Sequence, residues 1–410
     1  MIPVVNMAGT SGQANPDVQT LMRDGSLMLS SLPPLSLYVH LPWCLRKCPY
    51  CDFNSHAVAD GLEGLPQTAY IDALMADVEA ALPLIWGRTV HTVFIGGGTP
   101  SLFEPAMIDR LISGLRARLD MAPGVEITLE ANPGTFEIDR FAAFAGAGVT
   151  RLSIGVQSFD DTALQALGRV HSAAQAHVAI AEAKASFDTW NLDLMYALPG
   201  QDLAGARQSL AQALSYVPPH LSVYHLTVEP NTYFAKYPPP LPDDDTAYDM
   251  LDAIGEMTSE AGLNRYEVSA FARTGHRCQH NLNYWQFGDY LGIGAGAHSK
   301  LSFAHRIVRQ VRLREPALYM QQAMQGRALS NTEEIGREAL PFEFMLNALR
   351  LPEGFVLRDF SDRTGLAITA LERGLQAAET KGLITRDWER VVPTTRGMDF
   401  LSDLQELFLP

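Results

Sequence analysis

The feature that most constrains the fold is an alternation of short apolar runs and helical segments between residues 36 and 229. Each run is followed by a turn marked by glycine or proline. The runs are Leu37–Leu41, Thr92–Ile95, Glu126–Leu129, Leu152–Val156, Asn191–Met195 and Ser222–Val228. The helical segments include Ala69–Leu82, Met107–Leu119 and Ala173–Phe187. Six such units predict an α/β fold with parallel strands, and the handedness of the crossovers favours a partial (β/α)6 TIM-type barrel over an open doubly wound sheet.

Three further regions flank this predicted barrel, which we assign to residues 35–270. Residues 1–34 are rich in Gly, Ser, Asn and Pro without periodicity, and predict a flexible N-terminal extension. Residues 271–330 form a connecting segment that carries the motifs HNLNYW and GIGAGAHS, and Tyr266–Phe271 just before it is a candidate strand. Helices and a short strand pair near Leu383–Val392 predict a small helical or winged-helix domain over residues 331–410.

The composition excludes several classes of protein. Thirty-one basic against 46 acidic residues give a formal net charge of -15, which disfavours nucleic-acid binding because that binding depends on neutralising phosphates. Apolar stretches end well short of the roughly 18 residues of a transmembrane helix, and the N-terminus lacks the pattern of a signal peptide. Four cysteines in 410 residues exclude a disulfide scaffold. We therefore expect a cytoplasmic protein with reduced thiols.

Polar residues follow the predicted strands, where the active sites of βα barrels collect. The first run is followed by Cys44, Cys48 and Cys51, and the second by Gly96, Gly97, Gly98 and Thr99. The third run is followed by Glu130 and Asn132, and the fourth by Gln157. The fifth run contains Asp193 and is followed by Leu198-Pro199-Gly200, and the sixth strand carries His225, Thr227 and Glu229. Polar residues at every strand end predict a functional site at this edge of the sheet.

The three clustered cysteines carry the sharpest chemical signal. Three thiolates can hold a four-iron cluster that leaves one iron open to a ligand. Structural zinc takes four ligands, and the distant Cys278 is the one remaining cysteine that could complete such a set. Three buried small apolar residues are the third interpretation, although a turn that contains Arg46 and Lys47 is unusual for it.

Two other motifs are less specific. Gly96–Gly98 fits either backbone amides that approach a ligand closely or a plain tight turn. The absence of a following Gly-Lys-Ser/Thr excludes a phosphate-binding P-loop. Gly292-Ile-Gly-Ala-Gly296 resembles a dinucleotide-binding turn but opens no helix, so we interpret it as a backbone approach to a site. The composition around His280 fits either an aromatic pocket with an axial ligand or, more favourably, a structural turn.

The cysteine spacing and its surroundings resemble the signature of radical S-adenosylmethionine (SAM) enzymes. The segment from Tyr38 to His56 is similar to their coproporphyrinogen III oxidase-like subgroup, and most of all to the heme-chaperone branch of that subgroup. The resemblance covers roughly residues 36–300 through GGGTPS, LEANPGT, RLSIGVQSF, LDLMYALPGQ, HLSVYHLTVEP, YEVSAFA, HNLNYW and GIGAGAHS. It implies a barrel of the radical SAM type and a HemN-like C-terminal domain.

The resemblance also implies site residues. Cys44, Cys48 and Cys51 would hold a [4Fe–4S] cluster whose open iron binds the amine and carboxylate of SAM. The residues at SAM-contacting positions are Tyr38, Gly97, Gly98, Thr99, Glu130, Gln157, Arg169 and Asp193, with Thr227 a weaker match. Phe53 stands where the oxidase pattern has a further cysteine, and HNLNYW is absent from the oxidase but associated with heme binding in the chaperone branch. His280 thereby becomes the leading heme-ligand candidate, with His40, His56, His225 and His298 as rivals.

The function implied is that of a heme chaperone. It would bind heme, a [4Fe–4S] cluster and SAM, receive electrons from a donor, and pass heme to an acceptor protein. A homodimer and transient contact with membrane-bound acceptors are compatible with this role, and productive cleavage of SAM is left open. The alternatives are an oxygen-independent coproporphyrinogen III oxidase, which would decarboxylate propionates by radical chemistry, and a non-catalytic zinc module.

Overall fold

The computed structural model describes residues 18–21, 23, 25–58, 61–134 and 140–410. Residues 1–17 of the predicted extension lie outside the described residues. The strands of the main sheet are β1 (Leu35–Leu41), β2 (Val90–Gly97), β3 (Met121–Ala131), β4 (Arg151–Gln157), β5 (Thr189–Tyr196), β6 (His220–His225), β7 (Asn264–Arg265), β8 (Ala270–Ala272), β9 (Asp289–Ile293), β10 (His298–Phe303), β11 (Arg306–Arg312) and β12 (Leu329–Glu334).

The helices surround this sheet and build the C-terminal region. They are α1 (Val18–Leu21), α2 (Gln67–Ala81), α3 (Pro105–Arg116), α4 (Phe141–Gly146), α5 (Asp161–Ala166), α6 (Ala173–Ser186), α7 (Leu203–Ser215), α8 (Tyr233–Lys236), α9 (Asp244–Glu260), α10 (Gln279–Trp285), α11 (Pro316–Ala323), α12 (Leu340–Ala348), α13 (Leu357–Thr364), α14 (Glu372–Thr380), α15 (Thr395–Asp399) and α16 (Leu401–Glu406). Single 3-10 turns lie at Leu62–Gly64, Leu82–Leu84, Pro100–Leu102 and Ile368–Leu371. None of the described helices combines the length and apolar character that a membrane crossing requires.

The six predicted strands are present and pair in parallel in the order β1-β2-β3-β4-β5-β6. They form because their side chains are buried on both faces of the sheet, as at the neighbouring residues Val39 and His40 of β1. The sheet continues through β9 to β12 beyond β1 and through β8 and β7 beyond β6, and it does not close within the described residues. The prediction of an α/β fold with a partial barrel of the radical SAM type is confirmed.

The sheet departs from the predicted bounds at its sixth strand. β6 ends at His225, so residues 226–228 of the predicted run lie outside it. Of the candidate strand Tyr266–Phe271, residues 270 and 271 lie in β8, whereas residues 266–269 connect β7 to β8, which pair antiparallel. Between them the carboxylate of Glu267 accepts a hydrogen bond from the amide of Ser269, and this local bond bends the chain.

The C-terminal region has its own core and a small sheet of β13 (Phe355–Val356), β14 (Ile384–Arg386) and β15 (Arg390–Pro393). The last two strands match the predicted pair near residues 383–392. Leu27 and Leu29 are buried in this core, and their amides donate to the carbonyls of His305 and Ala304. Residues 27–29 of the predicted N-terminal extension therefore pack between the β10–β11 hairpin and the C-terminal region, whereas Leu21 is buried in the core of the main sheet.

Candidate functional site

The three clustered cysteines lie in one loop beyond the carboxyl end of β1. Two short parallel strands, Trp43–Cys44 and His56–Ala57, close this loop, which we call the cluster loop (residues 44–57). All three thiols are free and partly exposed. Each contacts a polar side chain: Thr99 Oγ1 donates to Cys44 Sγ at 3.5 Å, Arg169 Nη1 approaches Cys48 Sγ at 3.8 Å, and Cys51 Sγ lies 3.8 Å from Ser55 Oγ.

The surroundings of the thiols suit a cationic centre. Burial raises the pKa of the Cys44 thiol to about 11, although the hydrogen bond from Thr99 opposes the shift. Burial also raises the pKa of Cys51. A coordinated metal ion would ionise these thiols outright despite their burial. The donor set fits such a group.

The arrangement favours an iron–sulfur cluster over a single zinc ion. Among the described residues, no three His, Cys, Asp or Glu side chains are grouped as ligands of one metal ion. Cys278 is buried elsewhere, with its Sγ 3.7 Å from Glu126 Oε1 and its amide 3.3 Å from Tyr266 Oη. Among the described residues, Cys278 therefore provides no fourth zinc ligand, whereas in a cluster each thiolate binds its own iron.

The GGGTPS segment after β2 lies directly beside the cluster loop. The amide of Gly98 donates to Leu41 O at 2.8 Å and that of Thr99 to Trp43 O at 2.7 Å. A Cβ on Gly97 would lie 2.5 Å from the His40 ring, and one on Gly98 would lie 2.5 Å from Trp43 O. We expected these glycines to let the backbone approach a ligand closely. At the positions of their missing Cβ atoms, Gly97 and Gly98 instead approach His40 and Trp43 of the same chain.

Two partly buried carboxyl groups beside this segment, Glu130 and Asp193, interact electrostatically. Glu130 Oε2 accepts the amide of Gly97 at 3.1 Å, and Asp193 accepts hydrogen bonds from Ser153 and Asn191. Burial first, and then the charge of Asp193, raise the pKa of Glu130 to about 7. Such a pair favours a cationic ligand, because a nearby positive charge would stabilise both carboxylates.

Gln157 and Arg169 form the other wall of the site. Gln157 has a φ of 65°, a conformation that costs a non-glycine residue energy and is concentrated at functional sites. The guanidinium of Arg169 donates to Asn132 Oδ1 and Gly155 O and reaches Cys48. Asn132 in turn donates to Thr99 Oγ1 at 2.8 Å. Arg169, Asn132 and Thr99 thus connect two of the three thiols.

Sequence reasoning missed the residues that hold the cluster loop in place. Asn54 Nδ2 donates to Ala295 O at 2.9 Å and to Arg314 O at 2.8 Å. His40 Nε2 donates to Asn54 O at 2.9 Å, so its Nδ1 accepts from the Tyr38 hydroxyl at 3.0 Å. A Cβ on Gly296 would lie 2.5 Å from Asn54 Nδ2. Gly296 of the GIGAGAHS motif therefore leaves the space that the Asn54 side chain occupies. This glycine was the one sequence signal that could have indicated the contact with Asn54.

The HNLNYW motif forms α10 and packs against β2 of the barrel. His280 is 7% exposed, and its Nδ1 lies 2.9 Å from Thr92 Oγ1. Thr92 donates its own hydrogen to Ser36, so Nδ1 of His280 carries the proton and Nε2 keeps its lone pair. The ring packs on Phe94 with a centroid separation of 5.1 Å, and burial lowers the pKa of His280 to about 3.

The rest of α10 connects the barrel to the C-terminal region. Asn283 Nδ2 donates to Ser36 Oγ at 2.8 Å and to Asp289 O at 2.9 Å. The guanidinium of Arg350 lies 4.2 Å above the Trp285 ring. The motif thus serves a structural purpose, whatever else His280 does.

The rival histidines differ in their availability. Both ring nitrogens of His40 are hydrogen-bonded. His56 is partly buried, whereas His225 and His298 are exposed. His225 packs against Tyr196 at 5.1 Å between ring centroids. Thr227, the weaker SAM candidate, donates to Glu229 at 2.8 Å.

Comparisons with known proteins agree with this fold. The family model of the radical SAM superfamily matches residues 38–212, and that of the HemN C-terminal domain matches residues 335–400. The structure resembles that of coproporphyrinogen III oxidase (HemN) from Escherichia coli, with a TM-score of 0.78, 24% identity, and coverage of 92% of this chain and 90% of that one. Fold and site therefore define a radical SAM protein with a HemN-type C-terminal domain.

Relatives with high sequence identity show to which family within the radical SAM proteins the chain belongs. The chain is 45% identical to the heme chaperone HemW of Haemophilus influenzae over 93% of its own length and 99% of the relative's. It is 46% identical to the heme chaperone HemW of Escherichia coli, with coverage of 92% and 99%. It is 33% identical to the mouse mitochondrial radical S-adenosyl methionine domain-containing protein 1, with coverage of 98% and 93%. The chain belongs to the HemW family.

Proposed function

We propose that this protein is a heme chaperone, which binds heme together with a [4Fe–4S] cluster and SAM and passes heme to an acceptor protein. The observation that carries the proposal is its identity of 45% to a heme chaperone over nearly the whole of both chains. The likeness to the oxidase HemN, at 24% identity, concerns the fold alone. Phe53, which is 53% exposed, supports the distinction of this protein from the oxidase, because the oxidase pattern has a cysteine at this position.

Cys44, Cys48 and Cys51 would hold the cluster. When bound, the cluster supplies an open iron for the amine and carboxylate of SAM and a centre that accepts one electron. Arg169 and Thr99 would donate hydrogen bonds to the thiolates of Cys48 and Cys44, and such bonds favour the ionised form.

SAM would lie beside the cluster, between the carboxyl ends of the strands. Its binding residues in this proposal are Tyr38, Gly97, Gly98, Thr99, Glu130, Gln157, Arg169 and Asp193. Glu130 and Asp193 would face its positive charge, and the Tyr38 hydroxyl, which donates to His40, would leave its oxygen as an acceptor.

His280 is the proposed heme ligand. A metal-binding histidine donates its other ring N–H to a fixed partner, and Thr92 is that partner here. The low pKa of His280, about 3, keeps the imidazole neutral and its Nε2 able to bind iron. A heme would reach it only if the packing around α10 opened, because the ring is buried.

The proposal includes a heme-acceptor protein and an electron donor as partners. It also includes homodimer formation and transient contact with membrane-bound acceptors. We place the protein in the cytoplasm, where the thiols would stay reduced before the cluster is assembled.

The cluster ligands are tested by Cys48→Ser. We expect this variant to lose the four-iron cluster on anaerobic reconstitution, because two thiolates remain for a centre that needs three. Iron and sulfide content and the visible spectrum measure the loss, and Cys278→Ser is the matched control because its thiol lies away from the loop. A full four-iron complement in Cys48→Ser would refute the ligand assignment.

The heme ligand is tested by His280→Ala. Heme titration followed by absorbance should show weaker binding than in the unchanged protein, whereas His225→Ala, which removes an exposed rival, should bind normally. Thermal unfolding of His280→Ala and of the milder His280→Gln distinguishes a lost ligand from a lost fold. An unchanged titration in a folded His280 variant would assign His280 a structural role only.

A further inference from the structure

We propose that Arg151 and Thr128, on the inner face of the barrel, bind a propionate of heme while His280 binds the heme iron. This inference rests on the proposed function, since it requires heme binding through His280. It adds a second contact, to the charged edge of the macrocycle, which would fix the orientation of the bound heme.

Arg151 is a buried cation that contacts no counter-charge. Its residue begins β4 and is 2% exposed. Nη1 donates to His276 O at 3.0 Å, whereas the buried Nη2 makes no hydrogen bond within the described residues. No ion pair in the same part of the chain includes Arg151. A buried guanidinium in this state is costly, and an anion in contact with Nη2 would offset that cost.

Thr128 lies next to Arg151 on the adjacent strand. The two residues are register partners of β3 and β4, so their side chains share one face of the sheet. Thr128 is 1% exposed, and its Oγ1 also makes no hydrogen bond within the described residues. A hydroxyl and a guanidinium nitrogen can each donate one hydrogen bond here. A carboxylate has two oxygens and can accept both.

The same row of side chains leads to His280. Phe94 of β2 is the register partner of Thr128 on its other side, and the His280 ring packs on Phe94 with a centroid separation of 5.1 Å. Phe94 and Arg151 are thus two strand spacings apart, about 10 Å. The propionates of heme extend from one edge of the macrocycle. A heme whose iron is bound at one end of this row can therefore place a carboxylate at the other end.

The entry of heme would free Arg151 for this contact. His276, whose carbonyl accepts from Arg151, lies in the segment that leads into α10, which begins at Gln279. Because His280 is buried, heme reaches it only when the packing around α10 opens. That movement would carry the His276 carbonyl away and leave the guanidinium without a partner. A propionate would replace the carbonyl and bind more strongly, because both partners are then charged.

The carboxylates of the protein near this face have other partners. Glu126 Oε1 accepts the amide of His280 at 3.1 Å, and Asp193 Oδ1 accepts Asn191 Nδ2 at 2.8 Å. Asp193 interacts electrostatically with Arg151, since that positive charge lowers the pKa of Asp193 against the larger effect of burial. Neither carboxylate is ion-paired with Arg151 in the described part of the chain, so its Nη2 stays available to an external carboxylate.

The direct test compares heme with its dimethyl ester, in which both propionates are blocked. Each is titrated into the full-length protein and followed by absorbance. We expect the unchanged protein to bind the ester about tenfold or more weakly, because a charged hydrogen-bonded pair is lost. Arg151→Met should bind heme as weakly as the ester, and its affinity for the ester should be unchanged. Arg373→Met, which removes an exposed cation of the C-terminal region, should keep the full preference for heme.

A second variant keeps the test decisive if Arg151→Met does not fold, as judged by thermal unfolding. Thr128→Val preserves the shape of the side chain and removes a hydroxyl without a partner, so we expect it to fold normally. Its preference for heme over the ester should fall about threefold, because one neutral donor is lost.

Three outcomes would overturn the proposal. They are equal affinity of the unchanged protein for heme and the ester, a full preference for heme in folded Arg151→Met, and a full preference in folded Thr128→Val. If sodium propionate raises the melting temperature of the unchanged protein without any preference for heme over the ester, the site binds free carboxylates and the proposal also fails. An unchanged protein that binds neither heme nor the ester would instead refute the proposed function.

Discussion

The replacement Asn54→Ala tests whether the cluster loop depends on a contact from a distant part of the chain. Asn54 Nδ2 makes two hydrogen bonds, to Ala295 O at 2.9 Å and to Arg314 O at 2.8 Å. The third contact, from His40 Nε2, reaches the backbone carbonyl of Asn54 and survives the replacement. The variant therefore loses two hydrogen bonds while all three thiols remain.

The expected size of the effect follows from those two bonds. Each neutral hydrogen bond contributes about 1 kcal/mol net, so the closed loop loses about 2 kcal/mol. This corresponds to a roughly 30-fold larger population of the open loop. If iron leaves from the open loop, its release should accelerate by the same factor. Gly296→Ala should act in the same direction, since its Cβ would displace the Asn54 amide.

The assay is the anaerobic release of iron from the reconstituted protein to a coloured chelator. Asn331→Ala is the matched control, because this exposed asparagine lies on the outer strand β12. Thermal unfolding of each variant distinguishes local opening from global destabilisation. Iron release from Asn54→Ala at the rate of the unchanged protein would refute the reasoning.

Three further predictions concern two carboxyl groups, Glu130 and Asp289. Burial and the charge of Asp193 raise the pKa of Glu130 to about 7. Because SAM is a cation, it should bind more tightly as the pH rises through 7 and Glu130 ionises. Calorimetry at several pH values should show this dependence, and Glu130→Gln should abolish most of it. The raised pKa also means that ionised Glu130 destabilises the ligand-free fold, so Glu130→Gln should gain stability relative to the unchanged protein from about pH 4.5 to above 7. Asp289 is fully buried between Lys300 and Arg88 at 2.8 Å each. Asp289→Ala should therefore lower the free energy of unfolding by about 3–5 kcal/mol in denaturant titrations, because it leaves buried cations unpaired; a loss no larger than that of the exposed Asp109→Ala would contradict this account.

Sequence patterns sufficed for the barrel because its parallel strands are buried on both sides. Runs such as Leu37–Leu41 and Leu152–Val156 are short and mostly apolar, which makes each strand recognisable from the local sequence. The thiols were equally visible, since all three lie within eight residues. The C-terminal strand pair was predicted for the same reason, from a local pattern near residues 383–392.

Contacts between distant residues could not be predicted in this way. Asn54 and Ala295 are 241 residues apart, and His280 and Thr92 are 188 apart, so no local pattern connects either pair. The glycines at 97 and 98 predicted a close approach but not its partner, which proved to include His40 and Trp43 of the same chain. Composition suggested flexibility for the extension, yet Leu27 and Leu29 are buried in a core supplied mostly by residues beyond 335.

The most direct test of the heme-chaperone account combines two assays on one sample. The full chain is reconstituted anaerobically with iron and sulfide, titrated with heme, and then supplied with coproporphyrinogen, SAM and a reductant. We predict stoichiometric heme binding and no formation of protoporphyrinogen. Decarboxylation of coproporphyrinogen to protoporphyrinogen would contradict the account and show that this chain, with Phe53 in place of the further cysteine, acts as an oxidase.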